Sequence, residues 1–342
     1  MKSIVSRISF FLAFSFAFSG YSIGSVQLPA RNLAKSLNPQ LTKIAKNPSD
    51  SRPATAPKST AGGQANSCLP ASQNSNLSSS ERVRELRLSS KLMKREMPYC
   101  VILPPDYSDT KNETSRYPVI FLLHGLYGHY DNWVKLTRLV EYSAKYSIII
   151  VTPEGNNGWY VDSATKPDDK YESYIINELI PEIDAKFRTV NTREKRAIAG
   201  LSMGGYGAIK FGLKYPKHFL LAGSFSGALG AASFGLQLRP ELAKPLSEVF
   251  GPADSNTRRL NDIFLAAQQL SAEDIKNLPF LYLDCGTEDF LFQNNREFIE
   301  ILLKKKIPHE WRQLPGQHNW KYWDQQIVEF LEVADNFFKQ KQ

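Results

Sequence analysis

Three kinds of residue are scarce in this 342-residue chain, and each scarcity narrows the reading. There are only three cysteines, Cys68, Cys100 and Cys285, so they cannot all pair within one chain. None stands at metal-ligand spacing, which argues against a zinc site. Cys68 and Cys100 could form a disulfide in an oxidising compartment, whereas Cys285 ends an apolar run and reads as a buried thiol. Aromatic residues are absent from Ser22 to Pro98. Acids are nearly absent at the start: eight Lys and Arg against Asp50 alone precede residue 81, which places +7 of the net +8 there. A nucleic-acid-binding domain would carry its basic excess on the folded part, so nucleic acid is set aside as a partner.

A long apolar run is also missing. The longest early one, Ile8 to Phe18, follows Lys2 and Arg7 and precedes small residues, the pattern of a secretory signal peptide over residues 1–24. A membrane span needs ~20 apolar residues. The expectation is therefore a secreted or periplasmic protein with no stable span once the signal is removed; an uncleaved anchor reaching Ile23 is the alternative. Residues 25–80, rich in Pro, Ser, Asn, Ala, Lys and Gln, bury too little surface to offset chain entropy and read as a disordered basic linker.

From residue 81 to 342 the pattern changes. Pro118 to Leu123 and Ile148 to Val151 are continuous apolar runs, as in strands covered on both faces. Helical periodicity spans Asn132 to Tyr146, Lys170 to Phe187, Asn294 to Lys305 and Trp323 to Phe338. Leu220 to Phe225, Phe280 to Leu283 and His309 to Leu314 read as further strands, and Ser226 to Leu278 as a helical insert. Strands alternating with helices predict one α/β domain with a mainly parallel central sheet and helices on both faces.

Gly200-Leu201-Ser202-Met203-Gly204-Gly205 falls where a predicted strand meets a predicted helix. A serine on such a sharp, glycine-relieved turn is a nucleophile elbow. Serine needs a base, and the base needs an orienting group. With the order serine, acid, histidine, the five histidines can be sorted. His124 and His129 precede the serine, His218 reads as a helix-end cap, and His309 begins a strand. His318, in the loop before the last helix, remains. Asp289 is favoured as the acid on placement, with Asp284 and Glu288 as alternatives. An oxyanion needs two N–H donors: that of Met203, and one from His124-Gly125-Leu126-Tyr127-Gly128, taken as Leu126. Trp159, Tyr160 and Asp162 line an acyl pocket or serve as packing; the sequence supports both. The chemistry calls for no cofactor and no metal.

From Glu81 onward the chain resembles the Putative esterase family of the α/β-hydrolase superfamily, which includes esterase D, S-formylglutathione hydrolases, and tributyrin and feruloyl esterases. The stretches carrying the resemblance are Met97-Pro98-Tyr99 with Leu103-Pro104-Pro105, Leu123-His124-Gly125-Leu126, the Ser202 turn, Asp284 to Phe290, and Gly316-Gln317-His318-Asn319-Trp320. The resemblance implies Ser202 as nucleophile, Asp289 as acid, His318 as base, and Leu126 and Met203 as oxyanion donors. Gln317 departs from the glycine of many relatives. The implied activity is hydrolysis of short-chain acyl, acetyl or feruloyl esters, small or polysaccharide-linked. A mycolyltransferase-like acyltransferase and a non-catalytic envelope-binding protein are the alternatives.

Overall fold

Strands that are apolar on both faces require helices on both sides, and the chain folds accordingly. The computed structural model describes residues 77–233 and 240–340. The reading of residues 1–24 as a signal, that of 25–80 as linker as far as residue 76, and the pairing of Cys68 lie outside the described residues; residues 77–80, expected to end the linker, instead join the fold, since Leu77 N–H donates to Pro105 O at 2.9 Å and Ser78 caps a helix that begins at Ser79. A one-turn helix, Ser79–Arg82 (α1), leads into an antiparallel pair, Val83–Ser90 (β1) and Arg95–Ile102 (β2), with Val83 opposite Ile102. Next come Val119–Leu123 (β3), Asn132–Leu136 (α2), Leu139–Tyr142 (α3) and Ile149–Pro153 (β4). Tyr171–Tyr174 (α4) passes through a π turn, Ile175–Leu179, into Ile180–Lys186 (α5). Arg196–Leu201 (β5), Met203–Lys214 (α6) and Leu221–Phe225 (β6) follow. The expected insert contains Pro240–Phe250 (α7), Asn256–Asn261 (α8), Ile263–Gln269 (α9) and Ala272–Asn277 (α10). Phe280–Gly286 (β7), Phe292–Lys305 (α11), His309–Leu314 (β8) and Trp320–Lys339 (α12) complete the domain.

The eight strands stand in the order β1-β2-β4-β3-β5-β6-β7-β8. From β4 to β8 all neighbours are parallel, and β1 and β2 add an antiparallel edge. Alternation along each strand divides the core. Phe121, Val151 and Ile198 pack on one face with Tyr174, Ile209 and Phe298. Ile120, Leu122 and Ala199 pack on the other with Trp133, Ile327 and Phe330. Cys100 and Cys285 are both buried thiols, and burial pushes Cys100 up to about 12. No helix among the described residues is long and apolar enough to cross a membrane.

Two expected helices are interrupted. The periodic stretch 132–146 breaks at Thr137, whose backbone is extended at φ −136°, ψ 172°. Its hydroxyl donates to the Trp133 carbonyl and accepts from Leu139 N–H, a local alternative to helix bonding. In the stretch 170–187 the π turn precedes Pro181, which has no N–H to give and whose ring would meet a carbonyl one turn back.

Candidate active site

The parallel strands all point their C-terminal ends to one edge, where open α/β sheets hold ligands. Ser202 joins β5 to α6 with φ 53° and ψ −116°, a left-handed conformation that a non-glycine residue keeps only when its neighbours impose it. They do so here: Ser202 N–H donates to Phe225 O at 2.9 Å, and Ser202 O accepts from Tyr206 N and Ala228 N, both at 3.0 Å. The start of α6 also presses onto the end of β3. A Cβ on Gly204 would stand 2.5 Å from Leu123 O and 2.6 Å from His124 O, both backbone atoms. Gly204→Ala must therefore push α6 off the sheet. The expected outcome is a drop in kcat/KM of ~10²-fold, the scale of a misplaced reacting group, with circular dichroism unchanged. Wild-type turnover in that variant would refute the tight-docking account.

His318 lies in the loop between β8 and α12. Its Nε2 is 3.0 Å from Ser202 Oγ and its Nδ1 is 2.8 Å from Asp289 Oδ2. The Asp289 side chain is fully buried, and its other oxygen, Oδ1, accepts Leu291 N–H at 2.8 Å. A carboxylate only accepts, so Nδ1 carries the imidazole proton and Nε2 presents a lone pair to the serine hydroxyl. The two loops are stitched together: Thr287 N–H donates to Leu314 O at 2.8 Å and Glu288 N–H to Gly316 O at 3.0 Å. Phe290 and Trp323 flank the imidazole, with ring centroids 4.6 and 4.9 Å away.

The alternatives fall elsewhere. Asp284 is buried within β7, where desolvation pushes its carboxyl up to about 8, and Glu288 is exposed. His218 packs beside Tyr215 and Phe219, and His309 Nδ1 lies 2.8 Å from Ile307 O. Met203 opens α6, so its N–H has no acceptor within the helix. Gly125 brings the turn after β3 against Ser202, since a Cβ there would be 3.4 Å from Ser202 Cβ; Leu126 follows it.

Ser202 and His318 open into a cavity of about 970 Å³ walled by Leu126, Trp159, Phe290 and Trp320. Trp159 thus lies where the pocket reading put it; Tyr160 and Asp162 do not line the cavity. Tyr160 is fully buried and its hydroxyl donates to His124 O at 3.0 Å. Asp162 accepts Ser173 N–H at 2.9 Å and the Ser173 hydroxyl at 2.5 Å, fixing the start of α4. Residues the sequence reading passed over complete the wall: Gln293, Asn294 and Glu297 form a polar stripe on α11. The i, i+4 spacing of Gln293 and Glu297, off the face that buries Phe298 and Leu302, was the available signal; Asn294 stands at the edge of the buried face. Tyr127, Leu136 and Phe290, which also line the cavity, leave large apolar side chains exposed at 70%, 49% and 56%. Among the described residues no three His, Cys, Asp or Glu side chains converge as a metal site.

Known proteins resemble this chain in sequence and in fold. The chain is similar to the acetyl esterase of Caldicellulosiruptor saccharolyticus, 32% identical over 259 residues that span 73% of this chain and 97% of the relative. Among solved structures it resembles FphF, a fluorophosphonate-binding serine hydrolase of Staphylococcus aureus, with 28% identity and a TM-score of 0.67 over 74% of this chain and 98% of that one. A ferulic acid esterase superposes with a TM-score of 0.65 and 27% identity, covering 75% and 98% of the two chains. Residues 90–332 match the sequence profile described as Putative esterase. The chain belongs to that family and is a carboxylic ester hydrolase.

Proposed function

We propose that the protein is an exported serine esterase that cleaves short-chain acyl, acetyl or feruloyl esters, on small or polysaccharide-linked alcohols, through an acyl-enzyme on Ser202. The observation that carries the reading is the unbroken chain from Ser202 Oγ through His318 to the buried Asp289, opening on a cavity of about 970 Å³. In the first step Ser202 Oγ attacks the ester carbonyl carbon while His318 Nε2 takes the hydroxyl proton. Asp289 stabilises the resulting imidazolium, and the N–H groups of Leu126 and Met203 receive the negative oxygen. The tetrahedral intermediate collapses as His318 returns the proton to the departing alcohol oxygen. Water, deprotonated by the same nitrogen, then releases the acid.

The exposed Tyr127, Leu136 and Phe290 favour an ester with an apolar or aromatic part. The names of the two relatives, acetyl esterase and ferulic acid esterase, are compatible with that range. The leader pattern at residues 1–24 supports export and makes the cytosolic thioester S-formylglutathione the less favoured substrate.

The test is hydrolysis of nitrophenyl acetate through octanoate, methyl ferulate and S-formylglutathione by the wild type and by Ser202→Ala. Turnover of oxygen esters that disappears with Ser202 is the expected result. An unaffected Ser202→Ala, or no hydrolysis of any ester, would sink the reading. Excess glycerol in the same assay distinguishes an acyltransferase, which would form transfer product in preference to free acid.

A further inference from the structure

The cavity in front of Ser202 is charged on one side only. Of the described residues that line it, Glu297 is the only acid, and no Lys or Arg is among them. The Glu297 side chain is exposed, and its Oε1 accepts Gln293 Nε2–H at 3.2 Å. No cation among the described residues pairs with it. An amide donor neutralises no charge, so the carboxylate stays negative toward whatever enters the cavity.

An exposed acid on a helix is ordinarily a solvated charge. Two features set Glu297 apart. First, its helix is pinned at the site. Leu291 N–H, at the start of α11, donates to Asp289 Oδ1 at 2.8 Å. Asn295, wholly buried, donates to Gly227 O at 2.8 Å, and Asn294 Oδ1 accepts Gly230 N–H at 2.9 Å. Gly227 and Gly230 flank Ala228, whose N–H donates to Ser202 O at 3.0 Å. Glu297, roughly one and a half turns into α11, is therefore held in place relative to both Asp289 and Ser202. Second, the rest of the wall is rich in rings: Tyr127, Trp159, Phe290, Trp320 and Trp323. A cation that sheds water here is compensated by aromatic quadrupoles and a carboxylate. An anion meets no positive side chain among the described lining residues.

The charge bears on the alcohol half of the ester. His318 returns its proton to the alcohol oxygen, so the alcohol departs past the imidazole. Phe290 rests on that ring, centroids 4.6 Å apart, and α11 begins two residues later. We propose that Glu297 selects esters by charge, favouring an alcohol that carries a protonated or quaternary amine over a neutral one of the same shape. This rests on the esterase reading above.

Acetylcholine and 3,3-dimethylbutyl acetate share a shape and differ by a positive nitrogen in place of a carbon. The ratio of their kcat/KM values, compared between wild type and Glu297→Gln, isolates the effect of the carboxylate from the intrinsic reactivity of the two esters. At low salt the ratio is expected to be about threefold to fivefold larger in the wild type, the scale of a partly solvated ion pair. Glu297→Lys should lower it below the Gln value. In 1 M salt, where the screening length is ~3 Å, the three proteins should converge. A ratio that is the same in all three proteins, or a gap that persists in 1 M salt, would overturn the proposal. If neither ester turns over, their inhibition constants against nitrophenyl acetate hydrolysis give the same ratio, and no inhibition by acetylcholine overturns the proposal. A wild type that hydrolyses no ester, nitrophenyl acetate included, overturns the esterase reading. An active wild type whose ratio ignores residue 297 overturns this proposal alone.

Discussion

Removing His318 is expected to abolish practical turnover, with kcat falling by ~10⁴–10⁶ in His318→Ala and by a similar factor in Ser202→Ala. The double variant is expected to be no worse than either single one. The reason lies in the geometry: Ser202 Oγ is 3.0 Å from Nε2, and without that acceptor its proton has no exit as the bond to carbon forms. Losses that multiply instead of saturating would show that the two side chains act independently. Asp289→Asn tests the third position more finely. The asparagine oxygen can keep the bond to Leu291 N–H, as Asp289 Oδ1 does at 2.8 Å. Its NH₂ then faces His318 Nδ1 and forces the proton onto Nε2, where it blocks the serine. A loss of ~10⁴ in kcat with an unchanged melting temperature is the expected signature. Full activity in that variant would move the orienting role to another group.

The site was legible where chemistry and rarity coincide. With five histidines and a fixed order of groups, elimination singles out His318 and placement after a strand end favours Asp289, the two side chains that the fold brings into line with Ser202. The buried strands were legible because a strand covered on both faces shows no alternation to misread. What stayed hidden depends on partners distant in sequence. The break at Thr137 is held by Asp324, on α12, which accepts Arg138 N–H at 2.7 Å from 186 residues away. The fate of Trp159 and Tyr160 turns on backbone sign. Both residues have positive φ, 52° and 55°, and the tight curl sends one ring to the cavity and the next into the core. Neither pattern nor propensity distinguishes two adjacent aromatic residues in a loop. The polar face of α11 was visible as a helix face, but only the folded chain turns it toward Ser202.

A second large effect is expected outside the Ser202 site, at Glu172. Its side chain is 6% exposed and accepts from Lys210 at 2.5 Å, from Lys214 at 2.5 Å and from the Tyr215 hydroxyl at 2.6 Å. Burial alone would raise its carboxyl, but Lys210, followed by Lys214 and Tyr215, outweighs that and holds it at about 2. An acid with a depressed folded value adds stability above its unfolded value and loses it as pH falls through the folded one. Against an unfolded value near ~4.3, the contribution is ~3 kcal/mol, present above about pH 4.5 and lost toward pH 2. Glu172→Gln leaves Lys210, 2% exposed, as a buried ammonium without its counter-charge. Breaking such a pair from one side costs ~3–5 kcal/mol. Urea unfolding should show a gap of that size at pH 7 that narrows as pH approaches 2; a gap independent of pH would show that the carboxylate charge is not its source. The loss should also reach catalysis, because Lys210 Nζ donates to Tyr160 O at 2.5 Å, and Tyr160 in turn holds the His124 carbonyl. Removing both charges, in Glu172→Leu with Lys210→Met, should recover most of the stability. It should not recover the turn at residues 156–160, so kcat in the double variant is expected to stay below that of the wild type.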